Sequence, residues 1–358
     1  MATETSSESA GTTAVVAKAN EQIGGAYRAL EAFSAKRVRN LGILLAVVVV
    51  FSVYAITQDG GRIYLQRIFD SLNNGFVYGA VAIALVLIYK ATGVINFAQG
   101  EMAMFGTFLM IDLHDYRGLP VWLAILGAMV ISAAGAAGIE RTLIRPFDPT
   151  NHLSITMVTL SIFFIINGLV PVLYGIDPEA VPTPFPGAKD DFFNLFGVRI
   201  RYENLGIWIT VGLAVLLISL LLKRTKIGLA FRSVSSNLES SRLVGISTGR
   251  TLQFGWALAA AVGTLAACLV ARFNQPVDFN FMGKVLIFSF AAATLGGLDS
   301  VLGAVIAGLM VGVAETMLGG YVELIGSELA LLVALAIIVV VLVVRPSGLF
   351  GSKKVERV

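Results

Sequence analysis

KRTKIGLAFRSVSSNLESSRLVGISTGR, the stretch from Lys223 to Arg250, is a polar segment that separates two long hydrophobic runs. It carries six basic residues and a single acid, Glu239. Loops rich in lysine and arginine beside membrane spans are held on the cytoplasmic side. The stretch therefore predicts a cytoplasmic loop, and the hydrophobic runs on either side of it predict membrane-spanning helices.

Apolar spacing indicates that the first part of this loop is helical. Ile227, Phe231 and Val234 recur at i, i+4 and i+7, which places them on one face of a short helix. A helix with one apolar face needs something to cover that face. The pattern by itself does not say whether a protein or a lipid surface covers it.

A second short helix is predicted directly after the first. Ser236 and Glu239 have the S-x-x-E spacing of a capping box, Leu238 and Leu243 are its apolar positions, and Gly245 follows as a left-handed stop. Two short amphipathic helices on the cytoplasmic face favour a docking site for a soluble partner. A helix pair that lies on lipid headgroups is the alternative that the pattern leaves open.

Composition places the chain among helical membrane proteins. Of its 358 residues, 56% are hydrophobic and 14% are charged, whereas soluble domains carry about 25% charged residues. Apolar runs of roughly 17 residues or more recur, so we expect an all-α, polytopic membrane protein. The net charge of +3 does not indicate nucleic-acid binding. The single cysteine, Cys268, excludes an internal disulfide and a cysteine-based metal cluster.

Ten apolar segments can be counted, and we expect about eight to ten transmembrane helices, some of them broken or short. The segments are Leu41–Thr57, Asn73–Tyr89, Ala91–Leu113, Pro120–Ile139, Leu153–Tyr174, Leu205–Leu222, Thr251–Ala271, 282–297, Leu298–Leu318 and Leu329–Val344. With the N-terminus inside, 18 of the 26 basic residues fall on the inner side and 8 on the outer side. This bias predicts that both termini lie inside. Ten crossings would also allow two inverted repeats of five.

Polar residues interrupt the apolar segment that follows Gly93. Asn96, Gln99 and Glu101 stand where a helix facing lipid would be apolar. Nearby glycines favour a broken helix or a loop at membrane depth, which is tolerated only where it faces protein or a water-filled path. We therefore predict that these three residues line or gate a pathway. The alternative for Glu101 is a helix N-terminus, where the helix dipole stabilises a carboxylate.

Asp299 and Ser300 form a second polar interruption, directly after Gly296 and Gly297. The pair is predicted to cap a helix and, in addition, to lie on the pathway. Glu315 lies within a span among small residues, and a carboxylate inside the membrane is a functional candidate. Its other interpretation is a residue at the outer interface.

Four stretches together resemble one family of transport proteins. GVINFAQGEMAMFG at 93–106 resembles the INFAHGE motif of bacterial ABC permeases for branched-chain amino acids, and the basic loop resembles their coupling segment. AAATLGGLDSVLGAVIAGLMVG at 291–312 and RPSGLFG at 345–351 match the family as well. The short tail favours its LivH-type subunit. Gln99 stands where the family usually has histidine, and Asp299 where glycine is common.

The resemblance implies a permease subunit of an ATP-driven importer for branched-chain, hydrophobic amino acids, which forms half of the translocation pathway. It implies two separate ABC ATPase subunits, which would hold ATP and magnesium, and a second permease that is LivM-like or a copy of this chain. An extracytoplasmic substrate-binding protein and membrane lipid are the other implied partners, and no nucleic acid is. The residues implied in coupling to the ATPase are Ile227, Gly228, Phe231, Arg232, Val234, Leu238 and Gly245.

Domain layout and location are expectations as well. Residues 1–40 are predicted to form a cytoplasmic, partly disordered extension, 41–345 a transmembrane permease domain that includes the coupling segment 223–250, and 346–358 a cytoplasmic tail. The membrane would be the bacterial cytoplasmic (inner) membrane. The sequence contains no G-x-x-x-x-G-K-[ST] motif, so this chain is expected neither to bind ATP in the usual way nor to be an enzyme.

Other functions stay open from the sequence. Permeases of the same family carry urea or short amides. An ion-coupled secondary transporter would use Glu101, Asp299 or Glu315 as proton or cation sites. An intramembrane enzyme ranks last, because the sequence has no Ser–His pair, HExxH or paired-aspartate motif.

Overall fold

A computed structural model describes residues 4–148, 151–186, 191–195, 197–322 and 329–351 of the protein. Side chains are described from residue 46 onward, apart from those of residues 47 and 274. Two compact units divide the chain, Met1–Tyr64 and Leu65–Val358. The described residues are almost entirely helical, which confirms the prediction of an all-α protein.

Eleven α-helices are present in the described ranges. They are α1 (Glu4–Thr92), α2 (Gln99–Ile111), α3 (Val121–Ile139), α4 (His152–Tyr174), α5 (Tyr202–Arg224), α6 (Lys226–Ser236), α7 (Leu238–Leu243), α8 (Thr248–Ala271), α9 (Met282–Gly296), α10 (Val301–Tyr321) and α11 (Ala330–Val344). π-helical turns at Asp112–Tyr116 and Glu140–Ile144 follow α2 and α3, and a 3-10 turn at Arg272–Asn274 follows α8.

Six helical segments of the described chain are long and apolar enough to cross a membrane. They are Val48–Thr92, Val121–Ile144, His152–Tyr174, Tyr202–Arg224, Thr248–Ala271 and Val301–Tyr321. Helices α9 and α11 are apolar but have 15 residues each. Such a helix is about 22 Å long and falls short of a hydrocarbon core of about 30 Å. Long, short and broken apolar helices therefore coexist, as predicted for a polytopic membrane protein.

Helix α1 bends sharply at Gly60, whose φ of 80° and ψ of 155° are not helical. The Tyr64 hydroxyl donates a hydrogen bond to Ser52 Oγ at 2.8 Å, twelve residues away. Twelve residues of straight helix span about 18 Å, so these side chains meet only because the chain turns back at Gly60. The first predicted span lies before this turn and the second after it. Helix α1 begins at Glu4.

Glycine pairs bring α1 and α10 into direct contact within the second unit. A Cβ built on Gly308 would lie 2.5 Å from Gly79 Cα, and one on Gly312 would lie 2.4 Å from Gly75 N. No side chain fits between two backbones at this separation. Glycines four residues apart allow such close approach in membranes, where van der Waals packing holds helices together.

Helix α2 lies among four other helices, since it contacts α3, α4, α8 and α9. Its contact with α8 is close. A Cβ on Gly106 would lie 2.2 Å from Thr264 Oγ1, and one on Gly263 would lie 2.4 Å from Gln99 Nε2. The broken segment that begins at Gly93 thus leads into the interior of the second unit.

The Pro-rich loop after α4 contains a short β-hairpin that the sequence analysis missed. β1 (Phe192–Leu195) pairs antiparallel with β2 (Val198–Arg201), and Phe193 lies opposite Ile200. Gly197, with φ 79°, lies between the strands. Strands of four residues are too short for alternation of apolar and polar residues to stand out.

The RPSGLFG stretch docks on the turn between α9 and α10. Leu349 N donates to Leu295 O at 2.8 Å, and Phe350 N donates to Gly296 O at 3.1 Å. Gly297 and Gly348 both have positive φ, and a Cβ on Gly348 would lie 2.5 Å from the Gly297 backbone. Two of the four family-like motifs, distant in sequence, therefore meet in one tight backbone junction.

Candidate translocation pathway and coupling site

The chain leaves the helical conformation between α1 and α2, which confirms the predicted break. Gly93 has φ 71°. Asn96 is 1% exposed, and its Oδ1 accepts a hydrogen bond from the Ala98 backbone N–H at 3.0 Å. This bond satisfies a backbone donor that lacks a helical partner. Asn96 therefore holds the shape of the break from inside the protein.

Gln99 lies between α2 and α8. Its side chain is fully buried, and Nε2 donates to the Ala259 carbonyl at 3.2 Å. Oε1 of Gln99 has no hydrogen-bond partner among the described residues. The structure thus places Gln99 at the contact between α2 and α8, and its role on the pathway stays a prediction.

Glu101 lies in a cluster of polar side chains that was not predicted from the sequence. Its carboxylate is 3% exposed in the first turn of α2 and accepts a hydrogen bond from Asn167 Nδ2 at 3.2 Å. The same nitrogen lies 3.3 Å from Oδ1 of Asn280, which is exposed. Asn167 lies in the apolar helix α4, and an asparagine within an apolar span is the sequence signal that could have pointed to it.

The first turn of α2 packs beside the apolar helix α9. Phe97, just before it, stacks on Phe290 with ring centroids 6.4 Å apart. A Cβ on Gly100 would lie 3.1 Å from the Leu286 side chain. Both contacts fall in the middle part of the apolar helix α9. Glu101 therefore lies beside the middle of α9 and not at its end.

Asp299 and Ser300 lie elsewhere. Ser300 caps α10, because its hydroxyl accepts a hydrogen bond from the Gly303 N–H at 3.1 Å, and this confirms the predicted N-cap. From Leu286, beside the Glu101 turn, to Gly297 the chain advances about 16 Å along α9. The structure therefore does not bring Asp299 and Ser300 together with Glu101.

Glu315 is held by donors of its own chain. The Tyr78 hydroxyl donates to Glu315 Oε2 at 2.7 Å, and Asn74 adds a second hydrogen bond. Tyr78 itself stacks on Phe288 at 5.0 Å between centroids. This carboxylate links α1 to α10, which is a structural role.

Helix α6 begins as predicted in the basic loop, but its apolar face points inward. Thr225 caps it by accepting from Gly228 N at 3.0 Å, and Gly228 lies so close to the Leu221 carbonyl that a Cβ would be 2.3 Å from it. Phe231 and Val234 are 1% and 4% exposed. The chain's own core therefore covers these two side chains, and their part in coupling to an ATPase stays a prediction.

Helix α7 is capped by Asn237, whose Oδ1 accepts from Ser240 N at 2.8 Å, and not by Ser236 as predicted. Gly245 follows with φ 82°, which confirms the left-handed stop. Just before it, Leu243 and Val244 are 88% and 73% exposed. The most exposed apolar residues of the loop therefore lie at the end of α7, while Ile227 and Leu229 at the start of α6 are 50% and 60% exposed.

A cavity of about 1500 Å³ opens beside α6 and α7. Other walls come from the end of α1, the turn after α3, the starts of α4 and α8, and the docked tail. Its charged lining is balanced between four bases and four acids: Lys90, Arg145, Arg232, Arg242, Glu140, Asp148, Glu239 and Asp299. Of the predicted pathway residues, Asp299 lines this cavity. Of the predicted coupling residues, Arg232, Val234 and Leu238 do.

Arg145 links two walls of this cavity, the turn after α3 and the start of α8. It pairs with the buried Glu140 carboxylate, with Nη2 at 2.5 Å from Oε2. The same nitrogen donates to the Gly249 carbonyl at 2.9 Å, at the start of α8. The turn after α3 and the first turn of α8 are therefore linked by one guanidinium group.

These features define a class: an all-α, multi-pass membrane protein with a helical break before α2 and a helical loop beside a large cavity. Residues 67–342 match the family described as "Branched-chain amino acid transport system / permease component", and the chain belongs to that family.

Curated relatives match over most of their length. LivH of Escherichia coli K12, a high-affinity branched-chain amino acid transport system permease protein, is 30% identical over 306 residues, which cover 82% of this chain and 98% of LivH. BraD of Pseudomonas aeruginosa, with the same description, is 30% identical over 309 residues, with the same coverage. LivM of Salmonella typhimurium is 23% identical over 358 residues, which cover 93% of this chain and 80% of LivM.

Proposed function

We propose that this chain is the LivH-type permease subunit of an ATP-driven ABC importer for branched-chain amino acids. Family membership carries the proposal, together with the names of relatives that this chain matches over 98% of their length. Urea and short amides are the alternative substrates within the family. The subunit itself would not hydrolyse ATP, since its sequence lacks a P-loop motif.

Separate ATPase subunits would dock on α6 and α7. The exposed apolar pair Leu243 and Val244 supports this, because contiguous exposed apolar residues mark interaction sites. The same two helices carry exposed bases, Arg232 in α6 and Arg242 in α7. Ile227, half exposed at the start of α6, adds to the same docking surface. Gly228 and Gly245 would contribute to this docking surface indirectly, because they shape the turns before α6 and after α7.

A second permease subunit, LivM-like or a copy of this chain, would complete the translocation pathway. Asn280 is exposed and Asn167 partly exposed beside Glu101 at membrane depth. Polar groups at this depth are disfavoured against lipid and face protein or water instead. The surface around them is therefore the half of the pathway that this chain contributes.

The orientation follows from charge. The inner side of the ten predicted crossings holds 18 of 26 lysines and arginines, which favours cytoplasmic termini in the bacterial inner membrane. The inner cavity beside α6 and α7 would then be the cytoplasmic exit. The loop with the β-hairpin would lie outside, where a substrate-binding protein delivers its ligand.

Uptake by reconstituted transporter tests the substrate. The complete assembly in proteoliposomes should take up radiolabelled leucine, isoleucine and valine, each in competition with the other two, and excess urea should not compete. The control omits the binding protein and should show only background uptake. Uptake of urea without uptake of leucine would move the substrate to the alternative class.

A further inference from the structure

Among the residues that the structure describes, the two other buried glutamates are paired with arginines. Glu140 is 1% exposed and lies 2.5 Å from Arg145. Glu203 is 2% exposed and lies 2.7 Å from Arg272. This pairing is expected, because a carboxylate taken out of water without a cation loses several kcal/mol of solvation.

Glu101 is buried to the same degree but has no such partner. In the part of the chain that the structure describes, no lysine or arginine lies within salt-bridge distance of it, and its hydrogen-bond donor is the amide of Asn167. A single neutral amide does not balance a carboxylate at membrane depth. Without a cation the buried Glu101 carboxyl group favours its neutral, protonated form, and a bound cation would stabilise its ionised form.

The arrangement around Asn167 Nδ2 shows the kind of cation that fits. This one nitrogen lies between two oxygens, 3.2 Å from Glu101 Oε2 and 3.3 Å from Asn280 Oδ1. An ammonium nitrogen in a similar position would donate to both oxygens and would supply the missing charge. Asn280 is exposed and Asn167 partly exposed, so this polar group borders the protein surface.

We propose that Glu101 binds the ammonium group of the transported amino acid, with Asn280 as the second acceptor and Asn167 as the amide that the ligand displaces. The proposal rests on the proposed function and makes Glu101 the residue that selects amino acids. A neutral amide or urea offers N–H groups but leaves the carboxylate uncompensated, and a carboxylic acid without an amine repels it.

Leucine uptake by the complete assembly, with ATPases, second permease and binding protein, tests the role of Glu101. Glu101→Gln should lower uptake about ten- to a hundredfold, as expected for loss of a charged hydrogen bond. Binding-protein-stimulated ATP hydrolysis should persist, which a merely misfolded subunit would not allow. Glu101→Asp keeps the charge and should retain part of the uptake.

Glu315→Gln is the matched control, since it removes another intramembrane carboxylate whose donors, Tyr78 and Asn74, come from the chain itself. Its uptake should stay within about twofold of wild type. If the wild type takes up leucine and Glu101→Gln takes it up at a rate within about twofold of the wild type, the inference is overturned and the proposed function stands. A wild type that takes up no leucine would overturn the proposed function, and this inference with it.

Wild-type protein provides a second measurement, should Glu101→Gln fail to assemble. A hydrophobic carbodiimide should label Glu101, and leucine should slow this labelling while 4-methylpentanoate, which lacks the amine, should not. Peptide mass spectrometry reports both Glu101 and the internal reference Glu315. Labelling of Glu101 that leucine does not slow, or no labelling at all, would overturn the proposal, because a carboxylate that a ligand reaches is also open to the reagent.

Discussion

Single glycines set the distance between α1 and α10. A Cβ on Gly308 would lie 2.5 Å from Gly79 Cα, so even alanine forces the two backbones apart. We expect Gly308→Ala to destabilise the protein by about 1 to 3 kcal/mol, the usual effect of overpacking. A lower Tm of the purified protein in detergent would show this.

Gly212, within α5, is the matched control for this substitution. A Cβ there meets nothing within 4 Å. Alanine at this position gains up to about 1 kcal/mol of helix propensity, so Gly212→Ala should leave the Tm unchanged or raise it. Equal losses of Tm in the two variants would contradict the close contact of α1 and α10.

The cap of α7 shows what a residue pattern predicts and what it does not. The S-x-x-E spacing predicts a helix start within one residue, yet Asn237 and not Ser236 caps it. Both are good capping residues, and the choice depends on where α6 ends. Likewise, the apolar spacing of Phe231 and Val234 predicts a helix face, but only the tertiary structure shows that the core, against Gly255, covers it.

At the scale of elements, the end of α7 is the expected contact with the ATPase. Leu243 and Val244 are 88% and 73% exposed, so Leu243→Asp together with Val244→Asp should not affect folding. The double variant should lose the ATPase subunits on affinity purification and keep the wild-type Tm. Phe231→Asp should instead lower expression and Tm, because it buries a charge in the chain's own core.

Ser247→Asp serves as the control for added charge. Ser247 is exposed at the start of α8 and offers no apolar contact, and aspartate is a favourable residue there. ATPase subunits should stay bound to this variant. Retention of the ATPases by the Leu243 and Val244 double variant would move the docking surface away from the end of α7.

The sequence predicts elements better than it predicts their junctions. Long apolar runs and the break after Gly93 are visible as patterns along the chain. The docking of Leu349 and Phe350 on the end of α9 is not, because it depends on backbone hydrogen bonds between distant segments. Asn167 and Asn280 join Glu101 for the same reason: three separate elements contribute one residue each.

For the whole molecule, the account depends on which side of the membrane each loop faces. In a Cys268→Ser background, a cysteine at Ser236 should resist impermeant thiol reagents in intact cells, and one at Asn194 should react. Both positions are exposed, whereas Cys268 is buried. The reverse labelling pattern would place α6 and α7 outside the cell, where no ATPase could dock.

ATP-driven leucine uptake with defined sidedness tests the central claim most directly. Proteoliposomes would hold the complete assembly, oriented with α6 and α7 in the lumen, with ATP trapped inside and binding protein added outside. Leucine should accumulate only when lumenal ATP can be hydrolysed, and a non-hydrolysable analogue should abolish accumulation. Leucine accumulation without ATP that follows an imposed proton or sodium gradient would contradict the account and identify an ion-coupled transporter instead.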